Sequence, residues 1–259
     1  MDAKPISIQL YSLREPSQED FPGVIRAVGA MGYSGVEPAG FYGLAPRALR
    51  RLVESEGMVV SSSHGPWASP DNLPQVIDTA GELGTTLVSS GFGAEAFADM
   101  AAIRKTAETV NLMDERLRAA GLTLFLHNHW WEFELLGERL KHEIFAELAP
   151  RVSFEIDTYW AANFGAVDPV AVVKRNAKRA PLLHIKDGSL VRGEPNVAVG
   201  AGKMDIARVV AAADPATLRW LVVELDSCAS DMREAVAASY DWLVGAGLAT
   251  GRRKPAGRG

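Results

Sequence analysis

Apolar positions along this chain switch between a period of two and a period near 3.6 from one end to the other. Ile6–Leu13 reads as a strand. Phe21–Met31 follows with Phe21, Val24, Ile25 and Val28 on one helical face. Gly35–Pro38 is a short strand, and Pro46–Glu56 a helix with proline in its first turn. Met58–His64 is a strand, then Asp71–Leu83 a helix with Ser69 or Asp71 as its cap. Thr85–Ser90 is a β-branched strand, and Met100–Ala120 a long amphipathic helix closed by Gly121.

The second half keeps the same grammar. The strands are Leu122–His127, Val152–Asp157, Leu182–Lys186 and Arg219–Asp226. The helices are Lys141–Leu148, Asp168–Lys174, Met204–Ala213 and Met232–Val244. Eight strands alternating with eight helices, with no low-complexity linker, predict an α/β chain: one (β/α)8 TIM barrel over residues 1–250. An open doubly wound sheet is the competing arrangement, but no Gly-rich phosphate fingerprint follows the first strand. The basic stretch 251–259, rich in Gly and Pro, reads as a flexible, frayed tail.

Side-chain parity supports the barrel. In Val152–Asp157, Val152, Phe154 and Ile156 face the helices, and Ser153, Glu155 and Asp157 face inward. By the same rule His184 and Lys186 share a face, as do Trp220, Val222, Glu224 and Asp226, and as do Thr123, Phe125, His127 and His129. Polar groups at the C-terminal ends of barrel strands are where active sites of this fold sit.

Four of the five histidines lie at such ends: His64, His127, His129 and His184, with the carboxylates of Asp157, Glu224 and Asp226 beside them in pattern. Imidazoles and carboxylates near a core need pairing, and a divalent cation pairs them together. Each also has an ordinary reading, as a neutral histidine bonded to a neighbouring strand or a carboxylate paired with an interior Lys or Arg. His142, on a helix, is expected at the surface. Glu37 and His64 are candidate substrate contacts. Trp67 and Trp160 are candidate platforms for the apolar CH face of a sugar, or simply walls of the barrel mouth. Lys186 can hold an oxyanion, or pair with Asp187 or Glu155. Gly200-Ala-Gly202 can take an anion at the next helix, or be a plain turn.

Composition narrows the classes further. A net charge of -5 argues against a nucleic-acid surface, which calls for clustered Lys and Arg. The lone Cys228 excludes an intrachain disulfide, suits a reducing cytoplasm, and reads as a small filler. No apolar run approaches the ~18 residues of a membrane span, and no signal-peptide stretch opens the chain.

An ordered set of motifs carries a family resemblance: Gly35-Val-Glu37, His127-Asn-His129-Trp-Trp-Glu132, Asp157-Thr-Tyr-Trp160, His184-Ile-Lys-Asp187, Gly200-Ala-Gly202 and Glu224. Together they resemble the xylose isomerase-like, sugar phosphate isomerase/epimerase superfamily, in a His-Asn-His variant. The resemblance implies a divalent metal, Mn²⁺ first, with Co²⁺, Mg²⁺ or Zn²⁺ as alternatives. Asp157, His184 and Glu224 match three of its ligands. The usual strand-five Glu is replaced by His127, with His129 or Glu132 as alternatives. The implied activity is a metal-dependent sugar isomerase or epimerase acting through an enediolate on a ketose. Glu224 would be the base, and His127, His129, Glu132 or Lys186 its opposite partner. The missing strand-five Glu leaves open a lyase or dehydratase on a keto-sugar or inosose, and a non-catalytic sugar-binding barrel. A nuclease fits least, for it needs three metals and a basic groove. A small sugar is the expected partner, and homo-oligomers are common in the family.

Overall fold

The computed structural model describes residues 3–252. Its main strands are β1 (Lys4–Gln9), β2 (Gly35–Glu37), β3 (Val59–Val60), β4 (Leu87–Ser90), β5 (Thr123–His127), β6 (Ser153–Asp157), β7 (Leu182–Ile185) and β8 (Trp220–Val223). The helices that follow them are α1 (Arg14–Met31), α2 (Pro46–Ser55), α3 (Leu73–Leu83), α4 (Met100–Ala119), α5 (Lys141–Leu148), α6 (Pro169–Asn176), α7 (Ile206–Ala211) and α8 (Met232–Gly245). The strands are parallel neighbours in the order β3-β2-β1-β8-β7-β6-β5-β4. A parallel bridge from Ser63 to Val88 joins the two ends. The chain is therefore a (β/α)8 TIM barrel.

The period-two pattern sorts the side chains as expected. Ile8, Val36, Leu124, Phe154, Ile156, Leu183 and Val223 belong to the large core shared with the helices. A separate apolar layer fills the barrel itself, made of Leu87, Phe125, Leu182 and Val222 with Trp220 against them. Gly35 leaves that space open: a Cβ there would lie 3.0 Å from Cζ3 of Trp220. Above this apolar floor the inward positions turn polar, at Glu37, His127, Glu155, His184 and Glu224.

Some boundaries differ from the sequence reading, for local reasons. β1 stops at Gln9, whose side chain accepts from the Tyr11 amide and opens a 3-10 turn, Leu10–Leu13. α1 starts seven residues before Phe21. It breaks at Asp20 (φ -146, ψ 78), whose carboxylate accepts from the Gly23 amide at 2.8 Å, and Phe21 begins the second piece. β3 is cut to two residues because Ser61, Ser62 and Ser63 turn their hydroxyls to the barrel interior and its loop. Neither Ser69 nor Asp71 caps α3; its cap position is Asn72, which instead accepts from the Ser69 amide. Asp168 does cap α6 as expected, accepting from Val170 with Pro169 next. Two small ribbons were not anticipated, Leu135–Leu136 with Arg139–Leu140 and Asp187–Gly188 with Asn196–Val197.

His142 corrects the surface expectation. It is buried, stacked on Phe133 at 4.9 Å and tilted against Phe154 at 4.8 Å. The first turn of α5 faces inward, with Lys141 tied to Glu134 and His142 packed against Phe133 and Phe154. Cys228 is half-buried, beside Ser230.

Ala249–Thr250 pairs with the start of β1. Arg252, counted in the tail, is tied down: its amide donates to Gly32, Nε to the Tyr33 carbonyl at 2.8 Å, and a terminal nitrogen to the Gly29 carbonyl at 2.6 Å. The rest of the predicted tail lies outside the described residues. A guanidinium over the carbonyl end of α1 completes its last turn. Arg252→Ala is expected to cost about 1–3 kcal/mol, since it leaves those carbonyls without a charged donor. Urea unfolding checks this; an unchanged midpoint would show the contact to be idle. No described helix is long and apolar enough to cross a membrane.

Candidate active site

Every strand-end residue singled out by pattern lies at the C-terminal mouth, where an open cavity of about 340 Å³ is lined by Gln9, Tyr11, His64, Trp67, His127, His129, Glu224 and Asp226 among others. Under it sits a dense set of ionisable groups. His184, fully buried, reaches Glu224 through Nδ1 at 2.7 Å, and Glu37 and Glu155 through Nε2 at 2.9 and 3.0 Å. His64 Nε2 lies 2.5 Å from Glu155 and 3.3 Å from Glu37. Gln9 spends its amide oxygen on Tyr11, so its NH₂ faces His64 Nδ1 at 3.0 Å. That contact places the His64 proton on Nε2, toward Glu155. His127 Nδ1 is 3.4 Å from Glu155 and has no hydrogen-bond partner. Ser62 donates to Glu37 from below.

Lys186 pairs with neither Asp187 nor Glu155. Its ammonium, fully buried, meets Asp157 at 2.8 Å, Glu224 at 2.8 Å and Asp226 at 2.7 Å. The Trp160 ring lies 5.3 Å away over the same ammonium. Asp187 turns the other way, accepting from the amides of Gly188, Gly200, Gly202 and Met204. The Gly200-Ala-Gly202 loop thus wraps an anion, but the anion is the chain's own. A Cβ at Gly202 would lie 2.1 Å from Asp187 Oδ1, which is why the position is glycine.

The electrostatics follow burial first and pairing second. Burial alone would raise Glu224 and Glu155, but Lys186 and His184 hold Glu224 well below the usual range, and His184 and His64 do the same for Glu155. Burial wins at Asp157, lifted to about 6 despite Lys186, and at Glu37, with Glu155 adding to it. Burial depresses His184 and Lys186, and their carboxylate neighbours more than reverse it, so both stay charged. At His127 burial outweighs the opposing pull of Glu155 and takes it to about 3. Burial and then Lys186 take His129 to about 4.

Glu132 turns back on its own loop, accepting from the His129 amide at 3.0 Å. Burial raises its carboxyl well above the usual range. His129 lies at the cavity wall, stacked on Trp131 at 4.3 Å. Trp67, about a third exposed, stands edge-on to His64 at the rim. Asn128, not singled out by sequence, locks β5 to β6 by accepting from the Asp157 amide and donating to its carbonyl. Glu155 belongs to the site although no sequence motif marks it; the parity that turns Asp157 inward turns Glu155 inward as well.

The donors fit a metal. His127, Asp157, His184 and Glu224 place one ligand atom each within 4.8 Å of one another, and so do His64, His127, Glu155 and His184. The orphaned His127 Nδ1 marks a position where a cation would complete the coordination of a buried nitrogen.

Solved structures share this architecture. A sugar phosphate isomerase/epimerase from Parabacteroides distasonis superposes with a TM-score of 0.80 at 24% identity, covering 96% of each chain. An L-ribulose 3-epimerase aligns with a TM-score of 0.67 at 18% identity, covering 95% of this chain and 94% of its own. A probable 3-DHS dehydratase of petrobactin synthesis from Bacillus anthracis gives 0.70 at 13% identity, over 93% and 98%. No curated protein matches the chain by sequence. The family model described as xylose isomerase-like TIM barrel matches residues 25–244, from α1 to the last helix. The chain belongs to the xylose isomerase-like TIM barrel family.

Proposed function

We propose that this protein is a metal-dependent sugar isomerase or epimerase that moves a proton beside a carbonyl through an enediolate. The observation that carries the reading is the ion pair of Glu224 and Lys186, 2.8 Å apart at the floor of an open cavity, with imidazoles on the opposite wall. His127 and His184, with either Asp157 and Glu224 or His64 and Glu155 beside them, would hold a divalent cation, which when bound supplies the charge that acidifies the C–H.

Glu224 is ionised at neutral pH because Lys186 and His184 favour its charged form, so it can accept the proton. Lys186 offers N–H bonds to the oxygen that gains charge. His127 and His129 are neutral and hold hydroxyls from the other side. Tyr11 and Trp67, both partly exposed, are positioned to cover an apolar sugar face at the rim.

One observation favours the second reading, a lyase acting on a keto-sugar. Glu132 is committed to its own turn, so no carboxylate from β5 faces Glu224. Elimination needs only one such base, whereas symmetric epimerisation uses two.

The test is proton exchange in D₂O with Mn²⁺ and a panel of ketoses, keto-inositols and 3-keto-glucosides, followed by NMR. Deuterium is expected beside the carbonyl of one substrate class, only with metal, and the product separates isomerase from lyase. Glu224→Gln is expected to slow exchange by roughly 10²–10⁴-fold. Exchange unaffected by that change would remove Glu224 as the base.

A further inference from the structure

The two overlapping donor groups differ in what already lies against them. In the group His127, Asp157, His184 and Glu224, both carboxylates face a cation, for Lys186 sits 2.8 Å from each. Asp226 holds the ammonium from a third side at 2.7 Å. Lys186 is fully buried, so it has no water to withdraw into. A divalent ion on the same oxygens would set two positive charges in contact.

The group His64, His127, Glu155 and His184 holds no ammonium; an incoming cation displaces the Nε2 protons of His64 and His184, and the Gln9 amide turns so that its oxygen accepts from His64 Nδ1. Its atoms meet the Glu155 carboxylate from β5, β7 and the loop after β3: His64 Nε2 at 2.5 Å and His127 Nδ1 at 3.4 Å from one oxygen, and His184 Nε2 at 3.0 Å from the other. Neighbouring ligands on a tetrahedral ion lie roughly 3.3 Å apart when the bonds are about 2.0–2.1 Å. His127 Nδ1, buried and without a hydrogen bond, points into this group. Glu37 stands next to it, 3.3 Å from His64 and 2.9 Å from His184, so two carboxylates are present to balance a double charge.

We infer that the metal of this barrel is held by His64, His127, Glu155 and His184, one inward-facing position before Asp157 on β6, and that Lys186 takes the cation's place at Asp157 and Glu224. The inference rests on the metal-dependent reading above and decides between its two ligand sets. Three imidazoles and one carboxylate select Zn²⁺, Co²⁺ or Fe²⁺ over Mg²⁺. The ion enters from the cavity, whose wall includes His64 and His127. Lys186 and Glu224 then remain together as a pair for handling protons and oxyanions.

The full chain, stripped with a chelator, would be titrated with Co²⁺ and followed by its visible absorption, which is intense for tetrahedral coordination. Asp157→Asn is expected to bind Co²⁺ within about threefold of the parent. His64→Gln and Glu155→Gln are each expected to weaken binding by about 100-fold or more, at least the loss seen when only a group supporting a ligand is removed. Zn²⁺ should displace the Co²⁺ and Mg²⁺ should not. Circular dichroism of each variant precedes its titration, and the near-isosteric Glu155→Gln decides if His64→Gln fails to fold. Loss of binding in folded Asp157→Asn overturns the assignment, as does parental affinity in either glutamine variant. Binding that depends on Asp157 ends this assignment but leaves the metal-dependent reading standing; a parent that takes no Co²⁺ or Zn²⁺ ends both.

Discussion

Lys186→Met should destabilise the metal-free barrel by about 3–5 kcal/mol, the usual cost of removing one partner from a buried ionic group. Three carboxylates converge on this ammonium, two of them buried in the barrel with it. Methionine fills the volume but leaves Asp157 and Glu224 facing each other without a cation. The sign of the pH dependence follows. Asp157 already sits at about 6 with Lys186 present, because burial outweighs the pairing. Without the ammonium, the folded-state pKa of Asp157 rises further above its unfolded value, and Glu224 loses the largest influence that holds it below its own. The folded variant then binds more protons than the unfolded chain, and its stability falls as pH rises. The deficit should therefore be larger at pH 8 than at pH 5. Urea unfolding at both pH values, with a chelator present, measures it. A deficit below about 1 kcal/mol at both would mean that the carboxylates find other partners. Turnover in the exchange assay should fall by roughly 10²–10³-fold, the scale for losing one oxyanion donor.

His142→Phe is expected to act in the opposite direction. The ring is stacked on Phe133 and tilted against Phe154, and its Nε2 has no hydrogen-bond partner. Burial, with Arg179 and Arg175 adding to it, lowers its pKa to about 3. An unfolded histidine titrates near 6.5, so between there and about 3 the unfolded chain binds a proton that the folded chain refuses. Stability supplied by the neutral ring is thus complete above about pH 6.5 and lost as pH falls toward 3. The loss approaches about 3–5 kcal/mol at the acid end, at roughly 1.4 kcal/mol per unit. Phenylalanine keeps the stacking and removes both the titration and the unpaired nitrogen. The variant should gain about 1–2 kcal/mol at pH 7 and considerably more at pH 4. Unfolding midpoints from pH 4 to 7 check this; parallel curves would show that His142 titrates normally.

What the sequence revealed and what it hid have a common cause. Alternation was enough to orient Phe154, Glu155, Ile156 and Asp157, because strand geometry leaves each residue only two directions. It brought His184, Lys186 and Glu224 to one mouth for the same reason. Pairing was another matter. Lys186 lies next to Asp187 in sequence, yet it meets Asp157 and Asp226 from other strands, while Asp187 binds backbone amides thirteen to seventeen residues further on. Such choices depend on strand register, which no local pattern encodes. The burial of His142 is hidden for a related reason: the rings that cover it, Phe133 and Phe154, come from the turn after β5 and from β6. The break in α1 at Asp20 was closer to legible, as Asp20-Phe-Pro22 carries both a capping carboxylate and a first-turn proline.

The single bridge between Ser63 and Val88 has a consequence for how the molecule breathes. Two amide bonds, Ser63 to Leu87 and Ser89 to Ser63, make up that joint, whereas β4 and β5 share four register pairs. Local opening concentrates where few backbone bonds must break. The loop leaving this joint carries His64 and Trp67, and is stitched back to β4 through Ala68, Ser89 and Ser90. Fluctuation of the seam therefore swings one wall of the cavity, and solvent exchange at the Ser63 and Ser89 amides becomes a clock for access to its floor.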